Sequence, residues 1–460
     1  MAGIGFELRK VVDRRGLSGI VKASLAGTII VAGPWLISIL GITIIQHLIS
    51  SETRELSGAF MASVIYCYAF SLILGGGFHY IFTRVISDYL YIDDEDAAFC
   101  YLLKFMIPTV CVSLLISVPA VLTFSIPVSS PLLYRAGTVL LFVAVNLLWI
   151  IMLFISVLKW YMRIMFSFVL GMAASVLLLY LLGSRYGTGG AVFGFAVGHL
   201  VICFLLLALS FSSFTPRRRP GMKGAFTRYL KKYRFLFLTG FFYYLSIWAD
   251  KLINWILAGT AVPGTFFAVY EPYDITVYFA NLSMIPGLIY FVISSETEFY
   301  ILLRKFLISI GKGRYADIQR RKYRLISRAM KAVLEQSIFQ GLVSAGLILA
   351  APLLVTSFFR GGVALSVLQL TLAAVFFHLL FLTFLNFLFY LEMYRRAFYS
   401  TLVFFGVNAA VSLLAGYISV STLSGLGYLM GGIAGTAAAY TAFRASIRKM
   451  DRLVLTGLRY

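Results

Sequence analysis

Long apolar runs, separated by short polar segments, follow one another along nearly the whole chain. A transmembrane helix needs about 20 consecutive apolar residues, and twelve runs reach that length. They lie near 23–48, 57–82, 105–126, 133–158, 164–183, 190–212, 235–258, 274–295, 333–357, 363–391, 398–420 and 424–443. The pattern predicts an all-α polytopic membrane protein with about twelve transmembrane helices.

The basic residues alternate between the segments that join these runs. Only four of the 39 Lys and Arg residues fall in the odd-numbered loops: Arg54, Arg135, Arg185 and Arg360. Only Lys251 falls well inside a run. Cationic residues resist translocation and accumulate on the cytoplasmic side of a membrane. We therefore expect a multi-pass protein with an even number of spans and with both termini in the cytoplasm.

Composition changes how the net charge is interpreted. The chain is 61% hydrophobic and only 12% charged, yet its formal net charge is +21. In a soluble protein such a charge would indicate nucleic-acid binding. Here the charge lies in loops that face the anionic lipid of the inner leaflet. We therefore expect membrane lipid among the partners and no nucleic acid.

A strongly basic segment divides the predicted spans into two sets of six. Eight Lys and Arg residues, two prolines and two glycines fall within residues 215–234, a composition typical of a linker. We therefore expect a cytoplasmic linker at 213–233 between a first bundle at 23–212 and a second at 234–445. Two bundles of the same orientation form a parallel repeat about an axis along the membrane normal.

Weak internal similarity supports such a repeat. A Tyr-x-Arg motif follows the fourth span, at Tyr161 and Arg163, and recurs after the tenth, at Tyr394 and Arg396. The sixth and twelfth spans both open with a glycine-rich run, and small residues let helices approach closely in lipid. Together these features predict a 6+6 arrangement of two six-helix bundles.

Three further segments are basic. Residues 1–22 and the long loop 298–331 carry apolar side chains at helical spacing among Lys and Arg residues, a pattern typical of an amphipathic helix in the inner interface. Residues 446–460 form a basic cytoplasmic tail. The two amphipathic segments either anchor the chain to the membrane or dock a cytoplasmic partner.

Polar residues at membrane depth carry functional information, because each is costly there. The seventh span holds the densest group. Asp250 and Asn254 lie one turn apart on one face, and Tyr244, Trp248 and Lys251 form a neighbouring stripe. Two such stripes predict a helix that faces a wet cavity rather than lipid. Aromatic faces can stack on sugar rings while carboxylates and amides bind hydroxyl groups, so the stripes fit a path for sugar.

The eighth and tenth spans continue this pattern. Asp274 and Asn281 lie two turns apart, with Tyr278 between them, and His378 and Asn386 share one face of the tenth span. The candidate substrate-path residues are therefore Tyr244, Trp248, Asp250, Lys251, Asn254, Asp274, Tyr278, Asn281, His378 and Asn386. The alternatives are structural. Trp and Tyr gather at membrane interfaces, Lys can extend to the interface, and a lone His or Asn often makes an interhelical hydrogen bond.

Asp250 needs a partner at this depth, because burial without one favours its neutral form. Neighbouring residues on a helix point about 100° apart, so Lys251 is not expected to pair directly with Asp250. A water-filled cavity around Asp250 is the expectation that follows. Pro34 and Pro286 are expected to interrupt the first and eighth spans.

Enzyme signatures are nearly absent from the sequence. Asp94-x-Asp96 has the spacing of a glycosyltransferase metal–nucleotide motif, but its loop of about twenty residues is too short to hold a sugar-nucleotide domain. The four cysteines show no metal-binding spacing; they are Cys67, Cys100, Cys111 and Cys203. We therefore expect no catalytic residues, no cofactor and no metal site.

Three motifs resemble a known family. The chain opens Met1-Ala-Gly-Ile-Gly-Phe-Glu-Leu-Arg-Lys10, continues with Gly33-Pro34-Trp35 early in the first span, and carries Glu296-Thr-Glu298-Phe-Tyr at the end of the eighth. In these motifs, its length and its span pattern it resembles the PelG family of the multidrug/oligosaccharidyl-lipid/polysaccharide flippase superfamily. The resemblance implies a MATE-like fold of twelve helices in two bundles. It also implies export of the N-acetylgalactosamine-rich Pel polysaccharide across the bacterial inner membrane during biofilm formation.

The resemblance further implies a cytoplasmic glycosyltransferase and membrane partners, including a cyclic di-GMP sensor. From the residues alone, two other functions stay open. A small-molecule antiporter would use Asp250 to exchange a proton or Na⁺ for its substrate. A scaffold subunit would hold a polysaccharide synthase complex together without transporting anything.

Overall fold

The computed structural model describes residues 54–157, 161–215, 225–357, 364–418 and 421–450, together with Ile37 and Gly41. Several predicted segments lie outside the described residues. They are the amphipathic segment 1–22, nearly all of the first span at 23–48, residues 216–224 of the linker, and residues 451–460 of the tail.

The described chain is almost entirely helical. Its helices are α1 Arg54–Tyr91, α2 Glu95–Leu122, α3 Pro131–Val157, α4 Tyr161–Ser213, α5 Ala225–Lys232, α6 Arg234–Ala258, α7 Glu271–Leu282, α8 Ile285–Tyr290, α9 Thr297–Lys312, α10 Tyr315–Ser357, α11 Leu365–Tyr390, α12 Tyr394–Tyr417 and α13 Leu426–Arg448. A two-residue strand β1, Thr260–Ala261, pairs antiparallel with β2, Ala268–Val269. Nine helices in the described ranges are long and apolar enough to cross a membrane. The prediction of an all-α polytopic membrane protein is confirmed.

Two glycines with positive φ support the internal repeat. Gly187 (φ 64°) breaks α4 into two helices, which fits two spans because 53 residues of straight helix would be about 80 Å long. Gly425 (φ 97°) precedes α13 at the corresponding place in the second half. Glycine adopts a positive φ without steric cost, although the ψ angles of the two residues differ, at −148° and −13°. The full count of twelve helices in a 6+6 arrangement stays a prediction.

The described residues form two compact units. The N-terminal unit runs up to Tyr244 and includes Gly259–Val269, whereas the C-terminal unit contains Leu245–Ala258 and the chain from Tyr270 onward. The boundary between the units therefore falls inside α6. The bundle limits predicted from the linker, 23–212 and 234–445, stay a prediction.

Part of the predicted linker is helical. Helix α5 packs in the N-terminal unit, where the ring of Phe226 lies 4.9 Å from that of Phe105 in an edge-to-face contact. The hydroxyl of Tyr229 donates a hydrogen bond of 3.1 Å to Asp88. Burial, followed by the negative charge of Asp88, raises the pKa of Tyr229 to about 12, so its hydroxyl stays a donor at neutral pH. These aromatic contacts order a stretch whose composition indicated only a linker.

The eighth predicted span is broken, as Pro286 implied. Helix α7 ends at Leu282, α8 starts at Ile285, and a π-helical turn follows at Phe291–Glu296. The break frees the carbonyl of Ser283, which accepts a hydrogen bond of 3.1 Å from the buried amide of Gln340. A broken helix is tolerated in a membrane where neighbouring side chains satisfy the freed backbone groups in this way.

The predicted amphipathic segment 298–331 is divided between two helices. Residues 297–312 do form helix α9, but residues 315–331 are the start of α10. Part of the apolar side of α9 packs inside the protein, where Phe299 and Phe306 are 1% and 0% exposed, whereas Leu307 is 43% exposed. The ring of Phe299 stacks on Phe387 at 4.2 Å. Whether α9 lies in the membrane interface stays a prediction.

Candidate functional site

The polar residues of α6 lie inside the C-terminal unit. Asp250 is 0% and Lys251 is 5% exposed, and both are enclosed by residues of the same unit. A buried charge is retained only when it is paired and hydrogen-bonded. The surroundings of these two side chains meet that requirement.

Asp250 accepts hydrogen bonds from three different helices. Its carboxylate bonds the hydroxyl of Tyr273 on α7, and its Oδ1 lies 3.3 Å from Nδ2 of Asn408 on α12. Lys251 Nζ lies 3.3 Å from Asp250 Oδ2, so the two neighbours form an ion pair. The expectation that Lys251 is not the partner of Asp250 is wrong. The side chain of Lys251 folds back along the helix, and its Nζ also donates a hydrogen bond of 2.7 Å to the carbonyl of Ile247.

Aromatic rings complete the environment of the ammonium group. Lys251 Nζ lies 4.9 Å from the ring centre of Tyr428 on α13 and 5.7 Å from that of Trp248. A cation near the face of an aromatic ring is stabilised by the negative potential of that face. The hydroxyl of Tyr428 is in turn 2.7 Å from Nδ1 of His378 on α11. We call Asp250, Lys251, Tyr273, Asn408 and Tyr428 the charge cluster.

Glycines bring α13 close enough for Tyr428 to reach Lys251. A Cβ atom at Gly431 would lie 2.8 Å from the Cβ of Asn408, a distance that real Cβ atoms essentially never show. A Cβ atom at Gly427 would lie 2.7 Å from the Asn408 carbonyl oxygen. The predicted close packing of the glycine-rich twelfth span is confirmed here.

A second set of hydrogen bonds continues the cluster along α6. Asn254 donates a hydrogen bond of 2.8 Å to the carbonyl of Asp250 and accepts one of 3.3 Å from the hydroxyl of Ser424. Trp255 Nε1 lies 2.9 Å from Asp274 Oδ1, so the carboxylate of Asp274 is tied to α6.

The comparisons with known proteins decide the family. A family model described as "PelG: Putative exopolysaccharide Exporter (EPS-E)" matches residues 1–455. The chain belongs to the PelG family. The resemblance inferred from its opening decapeptide and its other motifs is thereby confirmed. No curated protein matches the sequence.

Solved structures similar to this PelG-family chain are transporters of one superfamily. An outward-facing multidrug resistance MATE family transporter of the MOP superfamily aligns with a TM-score of 0.61 at 13% identity, over 94% of this chain and 96% of that one. A MATE in the straight conformation aligns with a TM-score of 0.60 at 14% identity, over 94% of this chain and 96% of that one. A MOP superfamily transporter from Pyrococcus furiosus aligns with a TM-score of 0.56 at 13% identity, over 93% of this chain and 96% of that one. At such low identity these likenesses show the fold, which is MATE-like.

The structure gathers six of the ten predicted substrate-path residues around the charge cluster: Trp248, Asp250, Lys251, Asn254, Asp274 and His378. The other four lie elsewhere. Asn386 donates to the Leu382 carbonyl of its own helix, and Tyr278 is 42% exposed on α7. Asn281 lies near the end of α7. Tyr244 belongs to the N-terminal unit. Whether the ten line a substrate path stays a prediction.

Three members of the charge cluster were not among the predicted site residues: Tyr273, Asn408 and Tyr428. Asn408 and Asp250 are 158 positions apart in the sequence, and no spacing links them. The signal for Tyr428 was the glycine run around it, which indicated close packing but not which side chain the packing would bring to Lys251.

The charge cluster couples helices in the PelG fold through one neutral ion pair. Asp250 and Lys251 cancel each other's charge, while their remaining hydrogen-bonding groups contact α7, α12 and α13. A cation or ligand that binds the carboxylate of Asp250 would therefore compete with Lys251 for it. Displacement of Lys251 would also disturb the three other helices.

Proposed function

We propose that this chain exports a Pel-like, N-acetylgalactosamine-rich polysaccharide across the bacterial cytoplasmic membrane for the biofilm matrix. The observation that carries the proposal is the exopolysaccharide-exporter family model, which spans residues 1–455. The MATE-like fold agrees with a transporter. In this proposal the chain moves its polymer without covalent chemistry, beside a cytoplasmic glycosyltransferase and membrane partners that include a cyclic di-GMP sensor.

The charge cluster would act in export as a conformational latch. Because it ties α6 to three other helices of one unit, breaking and remaking its bonds gives that unit two arrangements with different packing. Packed interiors switch between discrete states rather than deforming continuously. In this proposal Trp248 and Asn254, which lie beside the cluster, contact the sugar chain through the indole face and the amide.

A cation-coupled small-molecule antiporter is the second candidate. The observation in its favour is a carboxylate, Asp250, fully buried in a membrane-spanning unit. Lys251 argues against it, since the ammonium group 3.3 Å away already supplies the cation that Asp250 would otherwise bind. A scaffold subunit of a synthase complex has less support, because scaffolding does not need a buried ion pair.

Deletion of the chain separates the three functions. We expect a deletion strain to lose secreted polysaccharide while glycosyltransferase activity in its membranes persists and drug susceptibility is unchanged. Secreted polymer is measured with a lectin for N-acetylgalactosamine and drug susceptibility by growth inhibition. Normal secretion with raised susceptibility would instead identify the antiporter, and loss of glycosyltransferase activity would identify the scaffold.

The orientation of the chain is tested by single cysteines in a background that lacks the four native ones. We expect Pro263→Cys, in the exposed turn between β1 and β2, to react with an impermeant maleimide from the periplasmic side only. Ala316→Cys, exposed at the start of α10, should react only after the cytoplasmic side is opened. The reversed pattern would contradict cytoplasmic termini.

A further inference from the structure

A basic groove lies between α9 and α10, away from the charge cluster. Its cavity of about 500 Å³ is lined by Glu298, Ile301, Leu302, Tyr323, Arg324, Ser327, Arg328 and Lys331. Three cationic side chains and one acidic one give the lining a formal charge of +2. A cavity of this size is in the range of small-ligand sites, about 300–1,000 Å³. The excess positive charge favours an anionic occupant.

One ion pair organises the floor of the groove. Arg328 donates from Nε and Nη2 to the carboxylate of Glu298 at 2.7 and 3.0 Å. This pairing fixes the guanidinium plane, and Nη1 makes no further hydrogen bond within the described part of the chain. A guanidinium held in one orientation is well suited to bind an oxyanion.

The other two cationic side chains, Arg324 and Lys331, are available to bind a ligand. Arg324 is exposed and makes no hydrogen bond or ion pair among the residues that the structure describes. Lys331 lies 3.8 Å from Glu335 with 62% of its side chain exposed, a surface pairing that contributes little. The groove therefore offers three N–H-bearing groups on one side of α10, at positions 324, 328 and 331.

The same side of α10 continues as an apolar stripe that no described residue covers. Its members are highly exposed and recur every four or seven residues: Leu334, Ile338, Leu342, Leu349 and Leu353. In a membrane-spanning helix such a stripe faces the acyl chains of lipid. At 1.5 Å per residue, Lys331 lies about 5 Å and Arg324 about 15 Å before Leu334 along the helix. With Leu334 taken as the edge of the hydrocarbon core, Lys331 lies in the headgroup layer and Arg324 in the water just beyond it.

The geometry points to a binding site for the headgroup of an anionic phospholipid, with its phosphate on Arg324, Arg328 and Lys331 and its acyl chains along the apolar stripe of α10. A soluble acidic partner would use the same charges but not the stripe, so the continuity of the two surfaces favours lipid. The site belongs to the α9–α10 hairpin and does not depend on which substrate is transported.

A lipid titration tests the site. Fluorescent phosphatidylglycerol is titrated into the full-length chain in neutral detergent, with phosphatidylcholine and glycerol phosphate as competitors. We expect phosphatidylglycerol to bind with much higher affinity than phosphatidylcholine. Glycerol phosphate, which lacks acyl chains, should compete poorly. The double variant Arg324→Gln, Lys331→Gln should weaken phosphatidylglycerol binding about 25-fold, because each cation near an anionic lipid contributes about fivefold.

Two further variants make the result specific. Arg314→Gln with Arg320→Gln removes the same charge from exposed positions outside the groove and should leave the affinity nearly unchanged. Ser327→Phe fills the groove without changing any charge and should weaken binding. Equal losses in the groove and control doubles, unchanged binding in Ser327→Phe, or full competition by glycerol phosphate would each overturn a built lipid site. So would wild-type binding that does not distinguish the two lipids.

Discussion

Replacing Lys251 by Met is expected to destabilise the protein by about 3–5 kcal/mol, the usual cost of removing one partner from a buried ion pair. Met preserves the length and most of the volume of the side chain but leaves the carboxylate of Asp250, 0% exposed, without its counter-charge. Thermal unfolding of the purified full-length chain should show a large fall in Tm, and less folded protein should accumulate in the membrane.

Two controls define what that result means. Lys305→Met removes an exposed lysine from α9 and should leave Tm unchanged within error. The double variant Asp250→Asn, Lys251→Met removes both charges and keeps an oxygen that can accept from Tyr273, so most of the lost stability should return. An unchanged Tm for Lys251→Met alone would show that Asp250 has other compensation and that the ion pair is not what stabilises it.

Replacing Gly431 by Leu is expected to have the second large effect. Already a Cβ atom there would lie 2.8 Å from the Cβ of Asn408 and 3.0 Å from the backbone oxygen of Phe404. Helix α13 would have to move away from α12 and carry Tyr428 away from Lys251. Overpacking of this kind costs about 1–3 kcal/mol or more, and the displacement should also lower polysaccharide export.

Gly406 provides the matched control on α12. A Cβ atom at Gly406 meets no atom within 4 Å, so Gly406→Leu should be tolerated and should gain from better helix propensity by up to about 1 kcal/mol. Tm and export of the two variants are measured side by side. Equal behaviour of Gly431→Leu and Gly406→Leu would contradict the close approach of α12 and α13.

The membrane-spanning helices could be predicted because their signal is local. Apolar runs mark the described spans. Pro286 marks the break in the eighth span because proline has no N–H group to donate to the backbone hydrogen bonds of a helix. Asp250 and Lys251 stood out because charges are rare at membrane depth. These inferences needed only the chain within a few turns of each residue.

The partners within the site could not be predicted in the same way. The pairing of Asp250 with Asn408 and of Lys251 with Tyr428 depends on how distant helices pack, which no local pattern specifies. The error about Lys251 has a simple cause. The rotation of about 100° between neighbouring helical residues describes the direction of their Cβ atoms. The four-carbon stem of lysine is long enough for its ammonium group to fold back to a neighbouring carboxylate.

The amphipathic pattern of 298–331 shows a similar limit. Spacing alone indicated an apolar face on α9 but could not tell a lipid surface from a protein surface. Phe299 stacks on Phe387, and Phe306 is fully buried, so the protein itself covers part of that face. The basic residues that follow on α10 carry the surface that meets lipid in our proposal.

The most direct test of the central claim is polysaccharide secretion by the charge-free double variant Asp250→Asn, Lys251→Met in the deletion strain. This variant keeps the cluster packed while removing the ion pair that we propose acts as the conformational latch in export. Secreted polymer is measured with the N-acetylgalactosamine lectin and normalised to the amount of folded chain in the membrane. We predict secretion close to that of the deletion strain at a near-normal protein level. Secretion equal to wild type would contradict the account, since the buried ion pair would then serve only to pack the helices.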